Sequence, residues 1–378
     1  MKYFTCSVFI MLSSLFSFAI QGCKTPIEPG KETAADTTSH NFSWQMFEYG
    51  DFYGTGHWSM IHDVAIVSSN DIWAVGEIYL KDTTGKNLGT NRCNAMHWDG
   101  VKWKLFKFQF RTFPEQPDTN AYICSSVCVL DSGKVIISSG EQVTFIKNEK
   151  QLKTEYIPVW VRKIWAGGSN DIYAVGSEGK IAHYDGKSWR KVESGTTMTL
   201  IDLFSNNGRD IYAVGGRFPD YDGVLLKGNA DGFSVIAEGK ASVKEEELFK
   251  PYFLGTGSML WVSPSDTVYF GGGLFYAYKK GEMSLVSTLN GNKWGLNNDG
   301  HYWGYLSGIR GNADNDIALV GEGNTIRHYN GKSWRQLGMP YDYNSEYTWV
   351  SVDMKGNTIA AVGRSNSKGI IMILKRGE

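Results

Sequence analysis

The sequence predicts an all-β fold, a seven-bladed β-propeller with four antiparallel strands per blade over residues 42–378. Three observations predict it. One motif returns seven times, a hairpin-forming motif follows the strong copies, and the segment opening at Phe42 has the pattern of a strand that the last copy lacks.

The first motif is Asn70-Asp71-Ile72-Trp73-Ala74-Val75-Gly76. It recurs strongly at Asn170–Gly176, Arg209–Gly215 and Asn315–Gly321, and more weakly in copies ending at Gly140, Gly271 and Gly363. The terminal glycines lie 36 to 64 residues apart, around the ~40–50 residue period of propeller blades. The second motif is His97-Trp98-Asp99-Gly100-Val101-Lys102-Trp103, repeated at His183–Trp189 and, with Asn for Asp, at His328–Trp334. Asp-Gly or Asn-Gly between strand-like runs is a strong hairpin signal, because both residues adopt positive φ cheaply.

Each unit therefore reads as four short strands. In the clearest copy these are strand A at Val161–Ala166, B at Ile172–Gly176, C at Lys180–Tyr184 and D at Trp189–Val192. Such sheets repeated radially make a propeller. After Gly363 only one C-like strand follows, while Phe42-Ser43-Trp44-Gln45-Met46-Phe47 matches strand D of the third copy. That strand is expected to complete the last blade, closing the ring and leaving no open sheet edge. Only the stretch around Glu245–Phe249 hints at a short helix.

The alternation of D-I-Y-A-V-G with H-Y-D-G-x-x-W resembles the repeat of secreted bacterial β-propeller lipoproteins, loosely related to Asp-box and kelch propellers. The resemblance covers residues 42–378 and is strong in four copies. The Asp-box proper has one residue between Asp and Gly, and here the two are adjacent. The resemblance thus implies the fold and does not carry sialidase activity with it.

Residues 1–22 read as a lipoprotein signal peptide: Lys2, then an apolar run from Phe4 to Ile20, leading into Ile20-Gln21-Gly22-Cys23. This resembles the bacterial lipobox, with Gln21 atypical, and implies Cys23 as the lipidated residue. Residues 23–41 are polar and Pro/Gly-punctuated, as a flexible tether would be. Membrane attachment is expected through the lipid alone. Lys24 stands where an inner-membrane retention signal would place Asp, which favours the outer membrane of the cell envelope.

Charge is balanced, with 38 Lys+Arg against 39 Asp+Glu, so the dense basic surface that a nucleic-acid partner requires is missing. Cys93, Cys124 and Cys128 remain beyond the leader. The last two, four apart on one expected strand, are too distant for a disulfide, and buried free thiols are expected. No Cys-x-x-Cys or His pair suggests zinc. Asn297-Asn298-Asp299-Gly300 and Asp220–Gly223 lack the spacing of a calcium loop. No cofactor or metal is expected, and the protein is read as a monomer.

The A–B and C–D turns are short, and all the length variation falls in the B–C and D–A connections. These include Leu80–Arg92, Phe110–Ala121, Glu238–Thr256, Leu289–Tyr302 and Met339–Tyr347. Insertions gathered on one face of a repeat fold mark the binding face. Aromatics crowd these loops, and Trp58, Tyr252, Trp294, Trp303, Tyr341 and Trp349 are the candidate contacts to a glycan or protein ligand. The repeated His97, His183 and His328 read as structural, and Asp71, Asp171, Asp210 and Asp316 as turn residues bonding their own backbone. A non-catalytic recognition propeller is the favoured function. The alternative is a glycosidase or lyase using two of Asp51, Asp63, Asp202, Asp353 and Glu346 at the central mouth, with Arg162 and Arg310 beside them.

Overall fold

The computed structural model describes residues 37–50, 58–80, 91–115, 117–130, 133–217, 222–240, 252–286, 305–340, 342 and 345–377. The stretch around Glu245–Phe249 lies outside them. Seven antiparallel sheets follow one another along the chain. Their innermost strands (strand A) are Met60–Ser68, Ser126–Val129, Val161–Gly168, Thr199–Phe204, Gly257–Val262, Leu306–Ala313 and Tyr347–Lys355, in blades 1 to 7. Each strand A packs against the next, and the seventh against the first. The fold is a seven-bladed β-propeller.

The ring closes as the sequence predicts. Phe42–Tyr49 is the outermost strand of blade 7 and pairs antiparallel with Lys368–Arg376, Trp44 opposite Leu374. In blade 3 the strands are Val161–Gly168, Asp171–Gly176, Ile181–Tyr184 and Trp189–Val192. Blade 4 adds a short parallel strand, Tyr252–Leu254, beyond its fourth. The core lies between blades, where the faces of successive sheets meet: Ile61, Ile72, Ala360 and Ile371 join blades 1 and 7, for example.

The repeated polar residues hold each blade together. Asp99 Oδ1 accepts from the amides of Val101 and Lys102, Asp185 Oδ1 from Lys187 and Ser188, and Asn330 Oδ1 from Lys332 and Ser333. The glycine that follows has φ of 93°, 91° and 90° respectively, where an L side chain is strained. The aspartates opening strand B behave differently from expectation. Asp71, Asp171 and Asp316 pair with the histidine of strand C, at 2.9, 2.8 and 2.7 Å, instead of bonding their own backbone. In blade 4 Lys227 takes the histidine's place and pairs with Asp210 at 2.9 Å. The register sets His97 opposite Trp73, His183 opposite Tyr173 and His328 opposite Ala318, so each aspartate meets its partner as a diagonal cross-strand neighbour, which a reading of the turn alone does not see.

Candidate functional site

The first strand of nearly every blade carries the same irregularity. In blades 1, 3, 4, 5, 6 and 7 the A–B register slips by one residue near the start of strand A. The residues passed over are His62, Arg162, Ile201, Ser258, Ser307 and Val350. In blade 2 both Ser125, through its amide, and Ser126 face Ser138. A bulge re-aims one side chain out of the alternating pattern. All seven of these residues line one central cavity of about 190 Å³.

The terminal glycine of the repeat permits the bulge. A Cβ on Gly76 would stand 2.1 Å from the Met60 carbonyl oxygen, one on Gly176 1.8 Å from that of Trp160, and one on Gly363 2.0 Å from that of Thr348. Gly215 and Gly321 meet Thr199 and Tyr305 in the same way. Strand A crosses so closely that no side chain fits. The structural equivalent in blade 5 is Gly272, one residue beyond the Gly271 of the sequence motif. In blade 2 it is Ser139, one before Gly140. There the Ser139 hydroxyl donates to the Ile123 carbonyl at 2.8 Å, so contact becomes a hydrogen bond.

The aspartates of strand A are committed to joining blades. Asp63 accepts from Ser126 Oγ, the Val127 amide, Ser351 Oγ and Lys163 Nζ, at 2.9, 3.0, 2.8 and 2.6 Å. Burial alone would push its carboxyl up, yet Lys163 and the other donors hold it below the usual carboxylate range. Asp202 accepts from the Leu203 and Leu260 amides, both at 2.9 Å, and from Arg310 on both oxygens at 3.2 Å. Asp353 accepts from the amides of Ile66 and Met354, and burial raises its pKa. Each therefore ties its own strand A to the first strand of the following blade, with blade 7 reaching blade 1. Glu346 lies apart on the loop face, exposed, and Asp51 lies outside the described residues.

Arg162 and His62 are left over at the mouth of the cavity. Arg162 is exposed and makes no hydrogen bond or ion pair among the described residues. His62 Nε2 is buried without a hydrogen-bond partner there, 4.0 Å from Glu77 Oε1. Burial lowers the His62 pKa, Asp63 opposes the shift and Arg162 adds to it.

Besides a hollow of about 530 Å³ between blades 3 and 4, lined by Arg162, Glu178, Met198 and Arg217, two hollows flank the mouth, both formed by B–C and D–A connections. One, of about 380 Å³, lies between blades 2 and 3, with Tyr122, Ile123, Tyr156 and Trp160 as its apolar wall and Arg92, Arg111 and Glu141 among its polar groups. Trp160 is 57% exposed and Ile123 40%. The other, of about 690 Å³, lies beside blade 7 and is lined by Trp58, Glu346, Arg364 and Asn366. Trp58 is exposed, with the Arg364 guanidinium 5.5 Å from its ring centroid.

No family model matches the chain. A stretch of 102 residues, 27% of the chain, is 35% identical to the Immune protein Tsi7 of Pseudomonas aeruginosa strain PAO1 and spans 30% of that protein's length. Among solved structures the chain is similar to YCF48 bound to D1 peptide, with a TM-score of 0.58 and 14% identity over 90% of this chain and 99% of that one. YCF48 from Cyanidioschyzon merolae gives 0.54 and 12% over 88% and 98%. The WD40 propeller domain of Doa1 gives 0.53 and 15% over 86% and 95%. At such identities the likeness is one of fold.

The six aromatics expected at a ligand face fare differently. Trp58 is exposed on the long-loop face. Tyr252 falls on the added strand of blade 4, and Trp294, Trp303 and Tyr341 lie outside the described residues, as does Cys23. Trp349 is a correction: it is fully buried and its Nε1 donates to Asn324 Oδ1 at 3.1 Å. It stands one residue before the bulge, a position buried in the other blades too, with Ile61, Cys124, Val161, Leu200 and Leu306 there and Gly257 in blade 5. Sequence reasoning overlooked Trp160, Tyr156 and His62. A single tryptophan immediately before a strand A was the available signal for Trp160.

Among the described residues no group of three or more His, Cys, Asp or Glu could hold a metal ion. The three thiols are free, and Cys124 lies just before strand A of blade 2 with Cys128 on it.

Proposed function

We propose that this propeller is a non-catalytic recognition protein that holds a protein segment on its long-loop face, around the mouth of the central cavity. The observation that carries the reading is the placement of exposed aromatics, Trp160 and Trp58, in hollows on that one face. Aromatic side chains with adaptable polar neighbours give contact area at low entropic cost. The structurally similar YCF48 is described in complex with a peptide, and the partly matching Tsi7 is named an immune protein; both names fit a binding role. The carboxylates of strand A are engaged by amides and cations, a poor arrangement for acid–base chemistry on a sugar. A glycan remains the second reading, supported by the Trp58 hollow with Glu346, Arg364 and Asn366 around it.

We further propose that the chain is displayed on the cell envelope by a lipid on Cys23, the polar residues that follow acting as the tether. Metabolic labelling with a palmitate analogue should mark the wild type and not Cys23→Ala.

Photo-crosslinking tests the choice of face. A photoreactive phenylalanine analogue replacing Trp160 or Trp58 should yield adducts with a cellular protein. The same analogue replacing Val101, exposed in a C–D turn on the opposite face, should yield none. Adducts formed at Val101 alone would contradict the reading.

A further inference from the structure

We infer that the cavity mouth selects an acidic extended peptide, with a carboxylate side chain seated at Arg162 and a neighbouring apolar side chain on Trp160. The inference rests on the long-loop-face reading and names the chemistry of the ligand.

The charge pattern points to an anion. Of the ionic side chains in the mouth, Asp63 is neutralised by Lys163 at 2.6 Å and Asp202 by Arg310 at 3.2 Å. Both pairs are internal and largely buried. Arg162 is left as a surplus positive charge, none of its five N–H donors bonded among the described residues. Beside it the His62 Nε2 is buried with no hydrogen-bond partner among the described residues, Glu77 Oε1 standing 4.0 Å away. A planar guanidinium matches a carboxylate through two parallel hydrogen bonds.

Size and spacing narrow the ligand to a peptide. The cavity of about 190 Å³ admits one side chain and falls below the ~300–1,000 Å³ of sites that enclose a whole small molecule. Trp160 lies two residues before Arg162, just ahead of strand A, and both residues are exposed. Its groove is walled by Tyr122, Ile123 and Tyr156. Arg92 and Arg111 outnumber Glu141 there, which again favours an acidic segment. A carboxylate and an apolar side chain at neighbouring positions of one strand-like peptide would fill both places at once.

The full-length protein would be applied to an array of N-acetylated, C-amidated decapeptides, each acidic sequence printed beside a copy with Asn and Gln replacing Asp and Glu. The expected binders carry Asp or Glu within two or three positions of an aromatic or large aliphatic residue. Their amide copies should bind on the order of tenfold more weakly. Arg162→Gln should abolish the difference between the copies, and Trp160→Ala should weaken both copies alike. Unchanged melting temperatures would show that the two variants are folded. Equal binding of acidic and amide copies, or a preference that survives Arg162→Gln, overturns the inference but leaves the long-loop reading intact if Trp160→Ala still weakens binding. Binding indifferent to both substitutions overturns both readings. An array without binders overturns the inference alone, since a folded partner could still occupy the face.

Discussion

Lys163 Nζ lies 2.6 Å from Asp63 Oδ1, joining the first strands of blades 3 and 1 over the strand between them. The carboxylate is almost wholly buried and the ammonium mostly so. Removing one partner of such a pair leaves an uncompensated charge, at a cost of about 3–5 kcal/mol. Lys163→Met should therefore lower unfolding stability by about that amount in denaturant titrations. Lys163→Met combined with Asp63→Asn should recover a large part of the loss, because neither charge then remains. A double variant as unstable as the sum of the single ones would show that the pair is not coupled.

The glycine that closes strand B in six of the seven blades is a steric requirement. Gly176→Ala places a methyl group 1.8 Å from the Trp160 carbonyl oxygen, whereas a Cβ on Gly168, in the same blade, meets nothing within 4 Å. Gly176→Ala should destabilise by about 2–3 kcal/mol or more and Gly168→Ala by no more than about 0.5 kcal/mol. Comparable losses at the two sites would mean that strand A does not cross as closely as described.

His40 Nδ1 meets His328 Nδ1 at 2.8 Å, and His328 Nε2 meets Asp316. Burial, with His328, Arg335 and Arg376 nearby, lowers the His40 pKa from 6.5 to about 4. The unfolded chain then binds a proton that the folded chain refuses, so stability is full above pH 6.5 and falls as pH drops towards 4. Melting temperatures across that window should decline more shallowly for His40→Gln than for the wild type. Parallel profiles would remove His40 as a contributor.

The cysteines should be silent in the folded state. Burial pushes the Cys128 thiol up to about 12 and raises Cys124 as well, leaving almost no thiolate at neutral pH. A colorimetric thiol reagent such as Ellman's should react with neither until denaturant is added. Rapid reaction of native protein would contradict their packing.

Much of the architecture was legible because it is local. Asp99, Asp185 and Asn330 announce their turns two residues ahead, and the seven copies with the Phe42 strand set the blade number. The direction of individual side chains was not legible. Trp349 stands one residue before the bulge of blade 7 and Arg162 is the bulged residue of blade 3, yet one is core and the other faces the mouth. A period of two cannot register a single inserted residue. Nor does spacing reveal that Asp63 would be met by Lys163, a hundred positions away, which turns a candidate acid into a joint between blades. The motif glycines did carry the missing information, since they mark where strand A must bulge.

Substituted-cysteine labelling tests most directly whether these bulges aim one residue per blade into the mouth. In a background with Cys93, Cys124 and Cys128 replaced by serine or alanine, single cysteines would be placed at neighbouring positions: Val161 and Arg162, Leu200 and Ile201, Leu306 and Ser307. A small water-soluble maleimide should label the cysteines at 162, 201 and 307 and spare those at 161, 200 and 306. Reversal of that pattern, or equal labelling within each pair in folded protein, would contradict the account.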